Sequence, residues 1–360
     1  MKILLVRLRL LGDVVFTTPL LRALRRQYPD AHLTYLVEPT AEPVVRTNPH
    51  LDRVIVAPRR RGLARLRDDA ALARTLRRER FDVAIDLHGG PRGAWLTWTS
   101  GAPRRIGYTT TGRRWMYTDL VARPADLSAR HSVLKQWDLL GPLGIGACDP
   151  VRDSVEMPEE AGAAARVGEM LRKAGVREGD PVVLLHISAG NPFRRWPLES
   201  FATLVSQLAA RDPNRRFVLT SGPSDAEAAQ RLADRIRAVS AALVIPRTFD
   251  VDELRALAAR ATVYIGGDSG PMHIAATTGT PIVGLFGPTL AERSLPWRSP
   301  RLFAEAVDAG PLPCRPCRQR TCEPGDFRCL TRITPEQVAA AAERALAAAA
   351  RLRQPEAMHA

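Results

Sequence analysis

The chain has 360 residues, 45% of them apolar, and a formal net charge of +14. This length suits two domains of roughly 150 to 180 residues, each able to bury a core. No apolar run approaches the roughly 20 residues of a membrane-spanning helix, and the first residues lead into a predicted strand instead of a secretory signal. We therefore expect a cytoplasmic protein that does not span a membrane.

The excess of Lys and Arg over Asp and Glu, 52 against 38, favours anionic partners such as nucleic acid, an acidic membrane surface or a phosphorylated substrate. The sequence has no recognisable nucleic-acid-binding motif and no basic surface with interleaved aromatic residues, so we do not expect nucleic acid to bind. An Ala- and Arg-rich composition explains much of the charge equally well. The charge is therefore weak evidence of function.

Apolar runs alternate with stretches of helical period along most of the chain, which is typical of an α/β protein with parallel sheets. The first half contains five predicted strands: residues 2–8, 32–38, 53–57, 81–87 and 105–108. The charged stretch that follows, residues 154–180, contains a predicted helix at 159–174 and no strand. It is therefore the best candidate for a linker.

The second half repeats the pattern, with predicted strands at residues 181–188, 216–221, 242–245, 262–266 and 281–286. A capping box at Asp250 predicts the start of a helix, and the Ala-rich residues 338–351 predict a final surface helix. The chain thus divides into two Rossmann-like, doubly wound parallel-sheet domains: residues 1–155 and 181–333, with a linker at 156–180 and a C-terminal helix and tail at 334–360. Such folds bind ligands at the carboxyl ends of their strands, and we expect an interdomain cleft there.

The stretch TVYIGGDSGPMHIAA runs from a predicted strand through a glycine-rich turn into a helix. Gly267 and Gly270 allow the backbone to approach an anion closely, Ser269 can donate a hydroxyl, and the helix start adds free N–H groups. Asp268 would repel phosphate but suits sugar hydroxyls, and His273 either faces the ligand or packs. We predict a diphosphate site with a sugar attached; the alternative is a structural turn in which Ser269 caps a helix.

Two further strand ends carry polar side chains that the fold would bring to the same edge. Ser188 and then Arg194 follow one strand, and an arginine there would neutralise charge on a departing diphosphate. Glu227 follows the next strand and would accept hydrogen bonds from ribose hydroxyls. The alternatives are a solvated arginine at a helix start and a glutamate that favours the first turn of a helix.

Asp13 stands at the first strand-to-helix turn, where nucleotide-binding folds usually hold phosphate. A carboxylate there would repel phosphate, so the position calls for another role. One alternative is a helix cap, although Thr18 and Pro19 supply another cap and first helical position nearby.

Four motifs that are typical of one protein family occur in the same order along the chain: VRLRLLGDVVFTTP, RRWP, GDSGPMH and GLFGPT. Over nearly its whole length it resembles glycosyltransferase family 9, the heptosyltransferases of lipopolysaccharide core assembly. The resemblance implies a GT-B architecture and an inverting transfer that needs no metal and no cofactor. It also implies a nucleotide-diphosphate sugar donor, usually ADP-heptose, bound to the second domain, and an anionic, lipid-linked saccharide acceptor of the lipid A–Kdo type.

The resemblance also implies roles for individual residues. Asp13 matches the general base of the family. Gly267–Gly270 match its donor loop, which the resemblance places across the cleft from that base. Arg7 matches a basic residue near the reaction centre, and Arg194 stands where relatives often carry lysine. A basic loop in the first domain meets the acceptor, which here corresponds to Arg59, Arg60 and Arg61; a plain solvated charge run is the alternative.

Four cysteines form a cluster near the end of the second domain: Cys314, Cys317, Cys322 and Cys329. Their density is consistent with a structural zinc site, but the spacing matches no common zinc finger, and a cytoplasmic compartment disfavours disulfides. We expect a structural role, through a metal or a disulfide, and none in catalysis.

We thus expect a heptosyltransferase-like enzyme that is peripheral to the inner face of the cytoplasmic membrane, drawn there by its basic charge. A glycosyltransferase of the same fold that uses another nucleotide-sugar for a surface polysaccharide is the first alternative. A nonenzymatic binder of nucleic acid or acidic polymer is the second.

Overall fold

The structure is a computed structural model that describes residues 1–123 and 129–353. These residues form two compact units, Met1–Pro158 and a second one that begins at Glu159. Each unit is built on a six-stranded, all-parallel sheet with helices around it, so the predicted pair of doubly wound α/β domains is confirmed. Among the described residues, no helix is long and apolar enough to cross a membrane. The predicted tail beyond residue 353 lies outside the described residues.

The first unit has the sheet order β3-β2-β1-β4-β5-β6. Its strands are β1 (Lys2–Val6), β2 (His32–Val37), β3 (Arg53–Val56), β4 (Val83–Asp86), β5 (Arg104–Tyr108) and β6 (Asp119–Val121). Its α-helices are α1 (Leu11–Val15), α2 (Thr18–Gln27), α3 (Gly62–Glu79), α4 (Pro91–Thr99) and α5 (Ser132–Trp137). Short 3₁₀ helices lie at Pro39–Val44, Arg114–Met116 and Asp138–Leu143.

The second unit has the sheet order β12-β11-β10-β7-β8-β9. Its strands are β7 (Val182–His186), β8 (Arg216–Thr220), β9 (Leu243–Arg247), β10 (Val263–Gly267), β11 (Ile282–Phe286) and β12 (Ala304–Asp308). Its α-helices are α6 (Ala161–Lys173), α7 (Leu198–Arg211), α8 (Ala226–Val239), α9 (Val251–Arg260), α10 (Gly270–Ala275), α11 (Ala291–Ser294), α12 (Arg328–Thr331) and α13 (Pro335–Arg353). Two 3₁₀ helices, Pro192–Arg194 and Pro223–Asp225, follow β7 and β8.

Both sheets have the strand order 3-2-1-4-5-6 when the strands of each unit are counted from its own start. In this topology the chain winds outward in both directions from the first and fourth strands, and the crevice between their carboxyl ends is where such folds bind ligands. In the first unit these strands are β1 and β4, and in the second unit they are β7 and β10. The topology therefore predicts a ligand site at the carboxyl edge of each sheet.

All ten predicted strands are present, with ends displaced by at most two residues. The sequence reading missed β6 and β12, the strands at one edge of each sheet. Strand β6 is only three residues long, and β12 is mostly half-buried, because an edge strand has a neighbour on one side only. Neither strand therefore shows the continuous apolar run of a central parallel strand.

The predicted linker helix is present as α6, and it packs against α9 inside the second unit. Arg166 on α6 pairs with Glu253, whose backbone N–H donates to the Asp250 side chain and so confirms the predicted cap of α9. The functional labels of the two domains and the cleft between them stay predictions.

The predicted surface helix at the C-terminus is present as α13, and one of its faces packs into the second unit. That face is fully buried against α7 and the strands of the second sheet, with Val338, Ala339, Ala341, Ala342 and Ala345 at 0% exposure. The small alanine side chains allow close packing, which an alanine-rich composition alone does not reveal. Arg215 anchors the helix further, with guanidinium bonds of 2.7 and 2.9 Å to the Glu343 carboxylate.

A matched pair of substitutions on α13 tests this packing. Ala342→Asp places an unpaired charge in the core and should cost about 3 kcal/mol or more of the free energy of unfolding. Ala340→Asp makes the same change on the exposed face and should cost under about 1 kcal/mol. Urea denaturation of both variants is the measurement, and equal losses would show that α13 is not packed as described.

Candidate active site

The first candidate site lies at the end of β1, beside the end of β4. Arg7 follows β1 and is buried; its Nη2 lies 2.6 Å from Asp13 Oδ2, and its Nη1 donates to the Leu87 carbonyl at 3.1 Å. Asp13 stands in the first turn of α1, and the Leu10 N–H donates to the same Oδ2 at 3.3 Å. The geometry thus gives Asp13 the predicted basic neighbour and also part of a capping role.

Asp13 is held as a carboxylate with one open oxygen. Burial raises the pKa of Asp13, but the charge of Arg7, the Leu10 N–H and the charge of His88 outweigh it, so the pKa lies below its ordinary value. The side chain is 34% exposed, and Oδ1 has no hydrogen-bond partner among the described residues. An ionised oxygen that is open to solvent can accept a proton from an incoming hydroxyl.

A second carboxylate at this edge, Asp86, was missed by the sequence reading. It ends β4 with no exposed surface, accepts the N–H groups of His88 and Gly89 at 2.9 Å each, and accepts the Tyr117 hydroxyl at 2.7 Å. Burial raises its pKa in spite of these bonds. Asp86 therefore holds the loop after β4 in place. The signal for it was a strand-ending aspartate followed by two glycines, in the string DLHGG.

The three predicted acceptor arginines lie beyond the end of β3. Arg59 and Arg60 are exposed, and their ion pairs are long, 3.7 Å to Glu38 and 3.4 Å to Asp68. Arg61 is also exposed and immediately precedes α3. Because β3 lies two strands from β1 in the sheet, these arginines and Asp13 share the carboxyl edge of the same sheet.

In the second unit, Asp268 follows β10 and is almost completely buried. Its Oδ2 accepts the Thr289 hydroxyl at 2.7 Å and lies 3.2 Å from Arg194 Nη1, and His273 Nε2 lies 3.5 Å from its Oδ1. Burial raises the pKa of Asp268, but the His273 hydrogen bond and the charge of Arg194 outweigh it and lower the pKa to about 2. Asp268 is therefore ionised, with both oxygens near protein partners.

Arg194 is held in place from two sides. Its Nη1 also donates to the Asp268 carbonyl at 3.0 Å, and its Nε donates to Gln319 Oε1 at 2.8 Å. Gln319, which the sequence reading missed, also accepts from Asn191 Nδ2 at 3.0 Å. The Arg194 side chain remains 31% exposed, and its Nη2 makes no hydrogen bond to a described residue. One nitrogen of this fork is thus left for an anion.

The glycine-rich turn after β10 is crowded, and one of its hydroxyls lacks a partner. A Cβ on Gly267 would lie 2.8 Å from the Arg194 carbonyl, so only glycine fits there. The Ser269 hydroxyl is buried and has no hydrogen-bond partner within the described part of the chain. Helix α10, which starts at Gly270, has only six residues, so its terminus adds less than a long helix would. The Ser269 hydroxyl is therefore the feature of this turn that most needs a ligand.

The other predicted donor residues are placed differently. Ser188 follows β7, and its hydroxyl already accepts the Gly222 N–H at 2.7 Å. It also lies 3.3 Å from His186 Nε2, and burial lowers the pKa of His186 to about 4. Glu227 lies in the first turn of α8, 87% exposed, and pairs with Arg231 at 2.9 Å. Among the described residues it contacts no member of the turn after β10 through a hydrogen bond or an ion pair.

The cysteine cluster contains free, half-buried thiols. Within the described residues no group of three or more His, Cys, Asp or Glu side chains is arranged to hold a metal ion. Burial and the neighbouring cysteines raise the pKa of Cys329 to about 11. The loop is instead tied down by Arg315, which donates to the Thr289 carbonyl and pairs with Asp308 at 2.7 Å. The expected metal or disulfide stays a prediction.

Comparisons with known proteins agree on one family. The family model of glycosyltransferase family 9 (heptosyltransferase) matches residues 70–327. Lipopolysaccharide heptosyltransferase 3 of Escherichia coli is 28% identical over 323 residues, which cover 87% of this chain and 91% of that protein. The crystal structure of a family 9 glycosyl transferase from Veillonella parvula has a TM-score of 0.83 at 26% identity, covering 96% of this chain and 97% of that one.

A second solved structure, the E. coli ADP-heptose lps heptosyltransferase II, has a TM-score of 0.74 at 21% identity and covers 98% of this chain and 100% of its own. The two parallel six-stranded sheets described above are those of a GT-B glycosyltransferase. The resemblance drawn from the four sequence motifs is thus confirmed. The chain belongs to glycosyltransferase family 9, the heptosyltransferase family.

Proposed function

We propose that this glycosyltransferase moves a heptose from ADP-heptose to a lipopolysaccharide core acceptor of the lipid A–Kdo type, with inversion and without a metal ion. One observation carries the proposal: an ionised Asp13 carboxylate, paired with buried Arg7, keeps one oxygen open at the carboxyl edge of the first sheet. Asp13 precedes the residues that the family model matches, so this geometry is the support for its role. The names of the relatives support the donor and the class of acceptor.

In the proposed reaction, the acceptor hydroxyl binds at Asp13. Its oxygen attacks the anomeric carbon of the donor while its proton passes to the free carboxylate oxygen, and the carbon–oxygen bond to the diphosphate breaks. Attack from the face opposite the leaving diphosphate inverts the configuration at that carbon. Arg7 keeps Asp13 ionised and oriented, and its buried Nε, without a partner among the described residues, is a further donor for the acceptor.

We propose that the donor diphosphate binds at the turn after β10 in the second unit. The unpartnered Ser269 hydroxyl and the open Nη2 of Arg194 supply hydrogen bonds to the diphosphate. Gly267 lets the turn pack closely against the Arg194 backbone. Asp268 holds Arg194 and is itself contacted by His273, so both residues act on the donor by positioning Arg194. Positive charge at the leaving group favours departure of the diphosphate.

We further propose that the acceptor is lipid-linked and that the enzyme is peripheral to the inner face of the cytoplasmic membrane. The net charge of +14 supports electrostatic attraction to an anionic bilayer, which salt should weaken.

Asp13→Asn tests the base. Asparagine keeps the shape and can still accept the Leu10 N–H, but it cannot take the acceptor proton, so turnover should fall by about two to four orders of magnitude while donor affinity barely changes. Asp52→Asn is the matched control, because Asp52 also pairs with an arginine, at 2.6 Å, and accepts a backbone N–H. Single-turnover assays at saturating acceptor are the measurement. Near-normal turnover of Asp13→Asn with a lowered melting temperature would leave Asp13 as a cap only.

Arg194→Ala tests the donor site. Its loss should weaken donor binding and slow diphosphate departure together, because a charge-assisted bond to the leaving group acts in both the ground and the transition state. Calorimetric titration with ADP-heptose, and with UDP- and GDP-sugars as competitors, measures affinity and donor choice in one experiment. Arg235→Ala, an exposed arginine of α8 that pairs with Glu199, is the control and should bind donor normally. Preference for another nucleotide-sugar would favour the alternative transferase.

Chelation tests the metal-independent step. The proposed diphosphate contacts are a hydroxyl, a guanidinium and backbone, and Asp268 is already engaged by protein partners instead of forming half of a metal-binding acidic pair. EDTA should therefore leave turnover intact. Activity that is lost with EDTA and restored by magnesium or manganese, but not by zinc, contradicts the proposal. Restoration by zinc alone would point to a structural ion at the cysteine cluster.

A further inference from the structure

Ten consecutive residues, 58–67, are exposed at the end of β3 and the start of α3. We call them the basic segment, because they include no acidic residue and five arginines: Arg59, Arg60, Arg61, Arg65 and Arg67. Such a density of one charge on an exposed element is suited to a multivalent anionic surface.

The same segment exposes two large apolar side chains. Leu63 and Leu66 are 75% and 63% exposed, and their spacing of three places them on the same side of the first turns of α3. Further along α3, Leu72 and Leu76 are buried in the core of the first unit. The first turns of α3 therefore extend beyond the part of the helix that packs on the core. Their two leucines remain mostly exposed to solvent and are not stabilised by burial in the core.

The arginines of the segment are weakly committed to protein partners. Arg60 makes an ion pair of 3.4 Å with Asp68. The other two acids near the segment, Glu38 and Asp69, are already neutralised by the half-buried Arg92, at 2.8 and 2.6 Å. The pairs that Arg59 and Arg65 make with these same acids are longer, 3.7 and 3.5 Å, and exposed to solvent. Exposed pairs of this length contribute little, so the arginines are available to another anion.

The position of the segment connects it to Asp13. The Glu38 N–H donates to the Leu8 carbonyl at 2.9 Å, which links the end of β2 to the loop that leads into α1. Leu10 in that loop is 67% exposed. Exposed leucines, arginines and the carboxylate of Asp13 thus share one edge of the first sheet.

We propose that the basic segment is a docking surface for an anionic lipid bilayer, with Leu63 and Leu66 inserted at the interface and the arginines on headgroup phosphates. Charge alone would serve a soluble anion, whereas a pair of solvent-exposed leucines among arginines matches the apolar and charged layers of a bilayer surface. The biological use of this surface rests on the proposed function, since it brings a lipid-linked acceptor to Asp13. The binding itself does not depend on any transfer reaction.

The test is sedimentation of the full chain with vesicles of mixed phosphatidylglycerol and phosphatidylcholine, and with vesicles of phosphatidylcholine alone. We expect the wild-type protein to bind the anionic vesicles and Leu63→Ser/Leu66→Ser to bind them about tenfold more weakly or worse. Val151→Ser/Val239→Ser, which also removes two exposed apolar side chains, is the control and should bind like the wild type. Arg60→Gln/Arg61→Gln/Arg67→Gln should weaken binding and reduce its dependence on salt.

Three outcomes separate the alternatives. Equal binding by the leucine variant and the wild type overturns the proposal and leaves the arginines with a soluble anion or the acceptor alone. Failure of the wild type to bind anionic vesicles at low salt overturns it as well. Vesicle binding that depends on the leucines, in a protein that transfers no heptose, supports the docking surface and rejects the proposed function instead. Melting curves of all variants should match the wild type, because every substituted side chain is exposed.

Discussion

The first unit depends on one interaction, the pair between buried Arg7 and Asp13. A guanidinium that has left water must be compensated, and here the carboxylate and the Leu87 carbonyl compensate it. The pair ties the end of β1 to α1 and holds Asp13 ionised against the effect of burial, and the bond from Arg7 to the Leu87 carbonyl ties the same strand end to the end of β4. The proposed role of Asp13 as a base would thus use the same two side chains that meet a structural need of the fold.

The second unit also pairs a buried charge with an opposite one, but there the more buried partner is the carboxylate. There an almost completely buried Asp268 draws in Arg194, Thr289 and His273 at the same edge of an equivalent sheet. Because the carboxylate is surrounded, the group left open is the arginine fork, together with the unpartnered Ser269 hydroxyl. One sheet therefore presents an open carboxylate oxygen and the other presents donors, which suits a proton acceptor in one unit and an anion site in the other.

The positive charge of the chain is not spread evenly over its surface, because ion pairs neutralise some arginines and leave others exposed. Arg92 neutralises two acids of the first unit from a half-buried position, which leaves the arginines of the basic segment exposed and loosely paired. The side chains of Arg215 and Arg315 are buried and engaged in structural ion pairs of the second unit. Net charge alone thus says little about partners, whereas the burial of each arginine separates structural cations from those available to a ligand.

The sequence by itself determined the central strands, the two-sheet organisation and the family, because buried parallel strands read as continuous apolar runs and the glycine-rich turns have recognisable strings. It also placed Arg7 and Asp13 close in the chain, so their pairing was within reach of sequence reasoning. Only the tertiary structure decided which polar groups are already satisfied: it commits Ser188 to Gly222, exposes Glu227, and adds Asp86 and Gln319. The bonds of Ser188 to Gly222, of Asp86 to Tyr117 and of Gln319 to Arg194 join residues far apart in the chain, and burial and hydrogen bonding across such distances leave no periodic trace in the sequence.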